Sequence, residues 1–582
     1  RQGLTYEIAA TVYKRLIGHP SFRWQLLFRR VIMSLQISRG EKRCKMLPDI
    51  RTYDALRAGF RWIVPEKFNI AEVCCDRWAE KTPDNPAIIE AAGGAITTTS
   101  FRQLQERANR LANVLRNQGV TAGDRVGILL PQTLDAAVTH MAIYKTGAIA
   151  VPLALLFGID AIEYRLSDAA IKLLVTNGAG LEKVEQIERP AETLECILCT
   201  SGAKGRALDF HGLMAQASGT FDTADSGPDD PAVMVYTSGT TGAPKGALHG
   251  HRVLLGHLPG TQYTHDFLPQ PGDVLWTPAD WAWAGGLLNI LLPGLYFGLP
   301  VVACAFERFD PEAAYDLMQR TGIRNCFIPP TALRMLRAVD RPRERFKLNL
   351  RSIASGGEAL GAEVFEWGRR ELGLVINEFY GQTECNQVLG SCAAIGVNRP
   401  GSMGRPVPGH NVAIIRDDGS VCDPGETGQI AMQRPDPIMF LGYWNRPEAT
   451  RDKFIGDWMT TGDQGYTDND GYFFFVGRDD DVITSSGYRI GPGEIEDCLI
   501  GHPAVAIAAA VGKPDPLRTE IVKAFIVLRD GFAPSDALAK EIQTFVRERL
   551  SAHEYPREVE FTEELPLTTT GKIIRRLLRE RA

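Results

Sequence analysis

Long apolar runs are missing from this chain. None approaches the roughly 18 to 20 residues that a bilayer-spanning helix needs, so no membrane span is expected. A basic field is missing too. Lys and Arg number 64 against 70 Asp and Glu, a formal net charge of −6, which offers nothing to attract nucleic acid. The 11 cysteines are an odd count, scattered and mostly inside apolar runs. That pattern argues against a disulfide framework and for reduced thiols in a cytosol-like compartment. Cys196 and Cys199 form a lone CxxC with no second pair or histidine set at ligand spacing, so buried strand cysteines are expected there rather than zinc. His249 and His251 also lack further ligands nearby. Their expected role is to line or support the loop that precedes them. Internal repeats and low-complexity tracts are absent.

What is present is a globular composition, 44% apolar and 23% charged over 582 residues, long enough for two to four units. The first 45 residues stand apart, with ten Arg or Lys against two acids. They read equally as a transit-peptide-like leader and as a cloning artefact or mis-assigned start before Met46. After them the chain alternates helices and short buried strands. Ser100 and Gln103 form a capping box for a helix that Gly119 ends. Residues 125–130 read as a strand, 134–144 as a helix and 148–152 as a strand, with further strands at 172–175, 300–303 and 351–354. This is the pattern of a layered α/β fold with mainly parallel sheets. From about residue 400 to 477, glycines, prolines and short strands suggest a β subdomain. From 480 to the end the chain reads as a small α+β domain, with strands at 504–511 and 523–528 and a helix at 537–550.

The richest segment chemically is residues 236–246, YTSGTTGAPKG, after the apolar run 233–236. Small residues let backbone approach a polyanion, and hydroxyls, amide N–H groups and the Lys245 ammonium all donate to phosphate oxygens. It is not a Walker loop, because Pro244 precedes Lys245 and Gly246 follows it. The segment resembles the signature loop of the AMP-forming acyl-adenylate superfamily. Five further segments resemble that superfamily in the same order: 280–286 (DWAWAGG), 355–360 (SGGEAL), 378–384 (EFYGQTE), 461–463 (TGD) with 477–481 (GRDDD), and 568–572 (TTTGK). The residue types suit the chemistry. Tyr380 offers a flat face for adenine, Glu384 is a hard oxygen ligand suited to Mg²⁺, and Asp463 can accept from two ribose hydroxyls. Singly, each has a plain alternative: a core tyrosine, a solvated acid, a turn residue after Gly462.

The resemblance, closest to the medium-chain acyl-CoA synthetase branch, implies a ligase with ATP, Mg²⁺ and coenzyme A as co-substrates or cofactors and a medium-chain or aromatic carboxylate as partner. It implies a nucleotide site of Thr237, Ser238, Gly239, Thr240, Thr241, Gly242, Lys245, Gly357, Glu358, Glu378, Phe379, Tyr380, Gly381, Gln382, Thr383, Asp463, Arg478, Arg489 and Lys572. Within it, Lys245, Thr383, Glu384 and Lys572 are the implied catalytic residues and Glu384 the metal ligand. Trp283, Gly285 and Gly381 would form the acyl pocket. Ser486, Gly487, Tyr488, Arg518, Tyr555 and Arg557 would serve CoA. The implied division is an adenylating domain at 46–479 and a mobile domain at 480–582, hinged at Asp480. In acetate-specific relatives a tryptophan stands where this chain has Gly381, which implies a roomier pocket here. Ala282, where relatives often have glycine, departs from the pattern. Two rivals stand beside this reading. One is an enzyme loading a carrier protein, against which the short tail after Lys572 counts. The other is a non-catalytic relative, against which the intact Lys245, Glu384, Asp463 and Lys572 count. A homo-oligomer stays open. The expected compartment is the cytoplasm, or the mitochondrial matrix if the basic leader is a transit peptide.

Overall fold

Alternation of short buried strands with capped helices builds most of the molecule. The computed structural model describes residues 45–189, 191–237, 243–479, 481–485, 488–515, 518–550, 555–568 and 572–582. Leu47–Ala582 forms one unit, separate from Arg1–Met46. The leader reading for residues 1–45 therefore falls almost wholly outside the described residues. Among the described residues no helix is long and apolar enough to cross a membrane.

The helix Phe101–Asn117 shows how local sequence decides structure. Ser100 Oγ accepts from the Gln103 N–H while the Gln103 side chain accepts from the Ser100 N–H, the reciprocal capping box. Gly119, at φ +83°, then turns the chain out of the helix. The following strand Arg125–Leu129, the helix Leu134–Thr146 and the strand Ile149–Pro152 lie within two residues of their expected bounds.

Two large sheets carry the N-terminal part. In the first, Cys196–Cys199, Leu173–Thr176, Arg125–Leu129, Ile149–Pro152 and Pro231–Tyr236 run parallel in that spatial order. The chain then reverses, and Gly246–Gly250 pairs antiparallel with Pro231–Tyr236. The second sheet has a parallel centre of Leu275–Trp276, Asn325–Phe327, Ser352–Gly356 and Ile376–Gln382, followed by antiparallel Cys385–Gly390. Parallel strands covered on both faces must be apolar throughout, and Leu173–Thr176, Ile149–Pro152 and Ser352–Gly356 are buried along their whole length.

The glycine- and proline-rich stretch forms an antiparallel sheet from Val412–Ile415, Gly428–Gln433, Phe454–Ile455, Trp458–Thr467 and Phe473–Arg478. Its apolar face meets the other two sheets in one cluster: Ala247 comes from the first, Cys385 and Val388 from the second, and Ile430, Met432 and Met459 from the third. The last sheet contains Ile483–Ser485, Tyr488–Ile490, Val505–Asp515, Thr519–Leu528 and Glu558–Phe561. Ile495 and Leu499 from Pro492–Ile500 and Ile542 and Val546 from Asp536–Arg549 share its core.

Candidate functional site

The junction of the three N-terminal sheets brings together loops whose side chains have the chemistry of a phosphate and nucleoside site. The reversal between Pro231–Tyr236 and Gly246–Gly250 is closed at its base, where Thr237 N–H donates to Lys245 O at 2.9 Å. Tyr164 Oη anchors its far side by donating to Pro244 O at 2.8 Å. Ser238, Gly239, Thr240, Thr241 and Gly242 lie outside the described residues. Behind the loop, His249 and His251 are almost wholly buried. Burial pushes the His249 imidazole down to about 3, so it is neutral at working pH. His251 Nδ1 accepts from Ile70 N–H. Both histidines are structural supports here. Among the described residues no cluster of three or more His, Cys, Asp or Glu could hold a metal on its own, and the ten described cysteines are free thiols.

Thr383 and Glu384 form the two-residue turn between Ile376–Gln382 and Cys385–Gly390, with Gln382 paired to Cys385. A tight hairpin tip fixes both side chains. Glu384 is 6% exposed, and Tyr443 Oη donates to its Oε1 in a short hydrogen bond. The ring of Tyr443 lies under the Lys245 ammonium, 5.1 Å from Nζ to the centroid.

On the nucleoside side, Asp463 and Arg478 are register partners on neighbouring strands. Arg478 stands 3.4 Å from Asp463 Oδ1, while Tyr380 Oη donates to Oδ2 at 2.5 Å. Burial raises the Asp463 carboxyl. The Arg478 charge, the Tyr380 hydroxyl, and the Lys453 and Lys572 charges pull it back. Among the described residues its buried Oδ1 has no hydrogen-bond donor, which leaves an acceptor for a ligand hydroxyl. The Lys572 charge is the smallest of these influences. Its loop is closed by Lys572 N–H to Thr568 Oγ1 (3.0 Å) and Thr568 N–H to Lys572 O (2.7 Å).

The loop 355–360 is tied to the strand that carries Tyr380. Glu358 accepts from Thr331 and Arg334, Gly357 takes φ +97°, and Leu360 N–H donates to Glu378 Oε1 at 3.1 Å. Burial pushes the Glu378 carboxyl up to about 8, aided by the nearby Asp497 charge and opposed by the Leu360 N–H. Gln382 is bound by Lys453 Nζ at 3.1 Å and donates to Thr461 O at 3.0 Å.

The residues expected for the acyl pocket have these neighbours. Trp283 packs edge-to-face on Phe157, 5.6 Å between centroids. Gly285 instead faces Phe327, which packs against Phe379. Gly381 lies close against its own hairpin. A Cβ there would lie 2.4 Å from Gln387 N and 2.7 Å from Asn386 Cα. Its missing side chain makes room for the returning hairpin strand, at the register shift between Tyr380 and Gln382.

In the last sheet, Tyr488 pairs with Ser485, which pairs with Thr519 beside Arg518. Arg489 pairs with Thr484. Arg557 donates to Tyr555 Oη at 3.1 Å, and its backbone N–H binds Val522 O. Ser486, Gly487 and Asp480, the expected hinge, lie outside the described residues. Sequence reasoning missed Tyr443 and Lys453. Each reaches its partner from a segment distant in sequence, Tyr443 from the short strand Gly442–Tyr443 and Lys453 from a turn, and no local pattern marks either.

A sequence profile described as AMP-binding enzyme matches residues 75–444, and one described as AMP-binding enzyme C-terminal domain matches 494–572. The acetyl-coenzyme A synthetase of Bacillus subtilis (strain 168) is 36% identical over 88% of this chain and 90% of its own length. The mitochondrial acyl-coenzyme A synthetase ACSM4 of Homo sapiens is 36% identical over 89% and 91%. The crystal structure of the anthranilate CoA ligase AuaEII in complex with anthranoyl-AMP superimposes with a TM-score of 0.82 at 30% identity. It covers 89% of this chain and 98% of that one.

Proposed function

This chain belongs to the AMP-binding enzyme family, and from that premise we propose that it is an AMP-forming acyl-CoA synthetase acting on a medium-chain or aromatic carboxylate. The carboxylate oxygen attacks the α-phosphorus of ATP and pyrophosphate leaves. The CoA thiol then attacks the acyl carbonyl of the mixed anhydride, giving the thioester, AMP and a proton. The observation that carries this reading is that Lys245 and Glu384 both meet Tyr443 while Tyr380 and Arg478 both meet Asp463, with Tyr380 and Glu384 on one hairpin.

The roles follow from the chemistry. Lys245 and the Thr383 hydroxyl meet phosphate oxygens. Tyr380 offers its face to adenine, and Asp463 Oδ1 accepts from ribose. Lys572 supplies a mobile point charge where negative charge builds during phosphoryl transfer. Glu384 fits Mg²⁺: it is a single carboxylate with one oxygen engaged by a neutral hydroxyl, and Mg²⁺ is held by one or two carboxylates plus phosphates and water. When bound, the ion supplies charge neutralisation to the departing pyrophosphate. Positioning and electrostatics, rather than a covalent protein intermediate, do the work. For CoA, we assign Tyr488, Arg518, Tyr555 and Arg557, supported by the place of Tyr488 in a strand of the last sheet and of the other three in the segments that lead into its strands Thr519–Leu528 and Glu558–Phe561. The last sheet is the part we propose to move between the two half-reactions.

AMP release from a panel of acids, with and without CoA, tests the reading. CoA-dependent turnover is expected. Release that is stimulated only by a carrier protein, or no release with any acid, overturns it. For the compartment we propose the cytoplasm. The name of the human relative supports the mitochondrial matrix as the alternative, and imaging of a fusion retaining residues 1–45 separates the two.

A further inference from the structure

Lys245 and Glu384 carry opposite charges and converge on the same phosphates, yet they do not pair. Among the described residues Lys245 makes no ion pair, and the single side-chain hydrogen bond to Glu384 comes from Tyr443. Left to themselves in a partly buried cleft, an ammonium and a carboxylate attract each other strongly. Such a pair would have to be broken before each charge could meet the nucleotide.

Tyr443 occupies the position that prevents this. Its ring takes the Lys245 ammonium on one face, 5.1 Å from Nζ to the centroid. Its hydroxyl donates to Glu384 Oε1. A phenol is a neutral donor: it orients the carboxylate without cancelling its charge, and it engages one oxygen while leaving the other. The ring itself is held rigidly. Tyr443 pairs with Ala247, two residues beyond Lys245. Its N–H donates to Thr450 Oγ1 at 2.9 Å, and Trp444 N–H donates to Gly246 O at 2.8 Å. Phe440 packs against the ring at 4.9 Å between centroids, and Tyr443 is 8% exposed. One short strand therefore ties the end of the phosphate loop to the carboxylate at the hairpin tip.

We infer that Tyr443 is a positioning residue that holds Lys245 and Glu384 apart and aims Glu384 at the metal of a magnesium nucleotide. The inference rests on the adenylating reading above. It divides Tyr443 into two separable parts, a hydroxyl serving Glu384 and a ring serving both charges.

The test uses the full chain, Mn²⁺ as a paramagnetic probe, and an α,β-methylene ATP analogue. Electron paramagnetic resonance gives Mn²⁺ affinity in the ternary complex. Calorimetry in EDTA gives metal-free affinity for the analogue. Tyr443→Phe is expected to weaken Mn²⁺ about tenfold, the scale of losing one hydrogen bond to a charged group, and to leave metal-free affinity within about twofold. Tyr443→Leu, which also removes the ring, is expected to weaken both. In a Glu384→Gln background, Tyr443→Phe should have no further effect on Mn²⁺. Replacing Tyr443 by p-aminophenylalanine, which keeps a ring and a donor, should restore affinity to within about threefold. It also supplies a readable variant should the phenylalanine form not fold. Unchanged Mn²⁺ affinity in Tyr443→Phe, an equal loss in the Glu384→Gln background, or no rescue by the amine overturns the inference. Wild type that releases AMP while Tyr443→Phe binds Mn²⁺ normally removes this inference alone. Wild type that releases no AMP removes the reading beneath it.

Discussion

The hydroxyl of Tyr380 donates a 2.5 Å hydrogen bond to Oδ2 of Asp463, a residue 83 positions away. The bond joins the residue assigned to adenine with the residue assigned to ribose. It satisfies one oxygen of a buried carboxylate and leaves Oδ1 for the ligand. Removing the hydroxyl by Tyr380→Phe keeps the aromatic face but releases Asp463. A hydrogen bond to a charged group is worth about 1.5–3 kcal/mol. The expected result is a KM for ATP raised about tenfold or more, with a smaller change in kcat. Steady-state kinetics at varied ATP measure it, and an unchanged KM would show that Asp463 is held without Tyr380.

Glu378 carries a pH dependence whose sign can be worked out. Its carboxyl is pushed up from an ordinary value of 4.5 to about 8, first by burial and then by Asp497, against the Leu360 N–H bond. A carboxyl raised on folding binds its proton more tightly in the native state than in the unfolded one. The native state therefore loses stability as pH rises from about 4.5 through about 8, and the loss is complete above that. Glu378→Gln cannot ionise. Its melting temperature relative to wild type should rise across that window and level off at higher pH. A constant difference from pH 5 to pH 9, followed by calorimetry, would refute the assignment.

Lys572 should divide the reaction. We propose that it serves the nucleotide rather than CoA, since its charge favours the ionised form of Asp463, the carboxylate proposed for ribose. Lys572→Ala is expected to lower acyl-adenylate formation by a factor of about 10² to 10³, the scale for loss of a transition-state donor. Thioester formation from supplied acyl-AMP should be nearly unchanged. Equal loss in both half-reactions, assayed separately, would contradict that division.

The flanks of Asp480 are anchored to different parts of the molecule. Asp479 is held by Gln429 and Gln464 of the antiparallel sheet. Asp481 is held by Arg575 and Arg579, just beyond Lys572. A rotation of the C-terminal part would carry Asp481 with it and leave Asp479 behind. Proline at 480 fixes φ near −65° and removes an N–H. Asp480→Pro should thus preserve one half-reaction and lower the other by at least about tenfold if hinge motion is required. Full overall turnover would place the pivot elsewhere.

What was legible in the sequence was local. Wholly buried strands such as Leu173–Thr176 announce themselves as short apolar runs. The capping box at Ser100 and Gln103 and the hairpin tip at Thr383 and Glu384 are each specified within a few residues. Tyr443 and Lys453 were illegible because their partners, Glu384 and Gln382, lie 59 and 71 residues away, and neither sits in a patterned segment. The packing at Gly381 was illegible for a related reason. Its lack of a side chain could be seen, but not that the returning strand fills the space.

That packing bears on the test of substrate size. The absent indole at Gly381 suggested that Gly381→Trp would redirect the enzyme toward acetate. With Gln387 N 2.4 Å and Cys385 O 2.8 Å from a Cβ at that position, a tryptophan must displace the hairpin that carries Thr383 and Glu384. The expected outcome is loss of adenylation with every acid, acetate included, by at least about 10² as the phosphate-side groups move out of register. A gain of acetate activity would show that the hairpin yields instead. Gly285 is the gentler lever. A Cβ there meets Cε1 of Phe327 at 2.7 Å, a ring edge that can shift. The Bacillus subtilis acetyl-coenzyme A synthetase and the human acyl-coenzyme A synthetase ACSM4 are both 36% identical to this chain, so overall identity does not decide the acid. Each buried methylene contributes roughly 0.8 kcal/mol, about fourfold in affinity, so a pocket that admits several favours longer or aromatic acids over acetate in wild type. Gly285→Ala, by pressing Phe327 inward, should reduce the ratio of kcat/KM for the preferred acid over acetate by about four- to sixteenfold, the equivalent of one or two methylenes. Highest kcat/KM for acetate in wild type, or an unchanged ratio in Gly285→Ala, would show that Gly285 and Phe327 do not bound the acyl group.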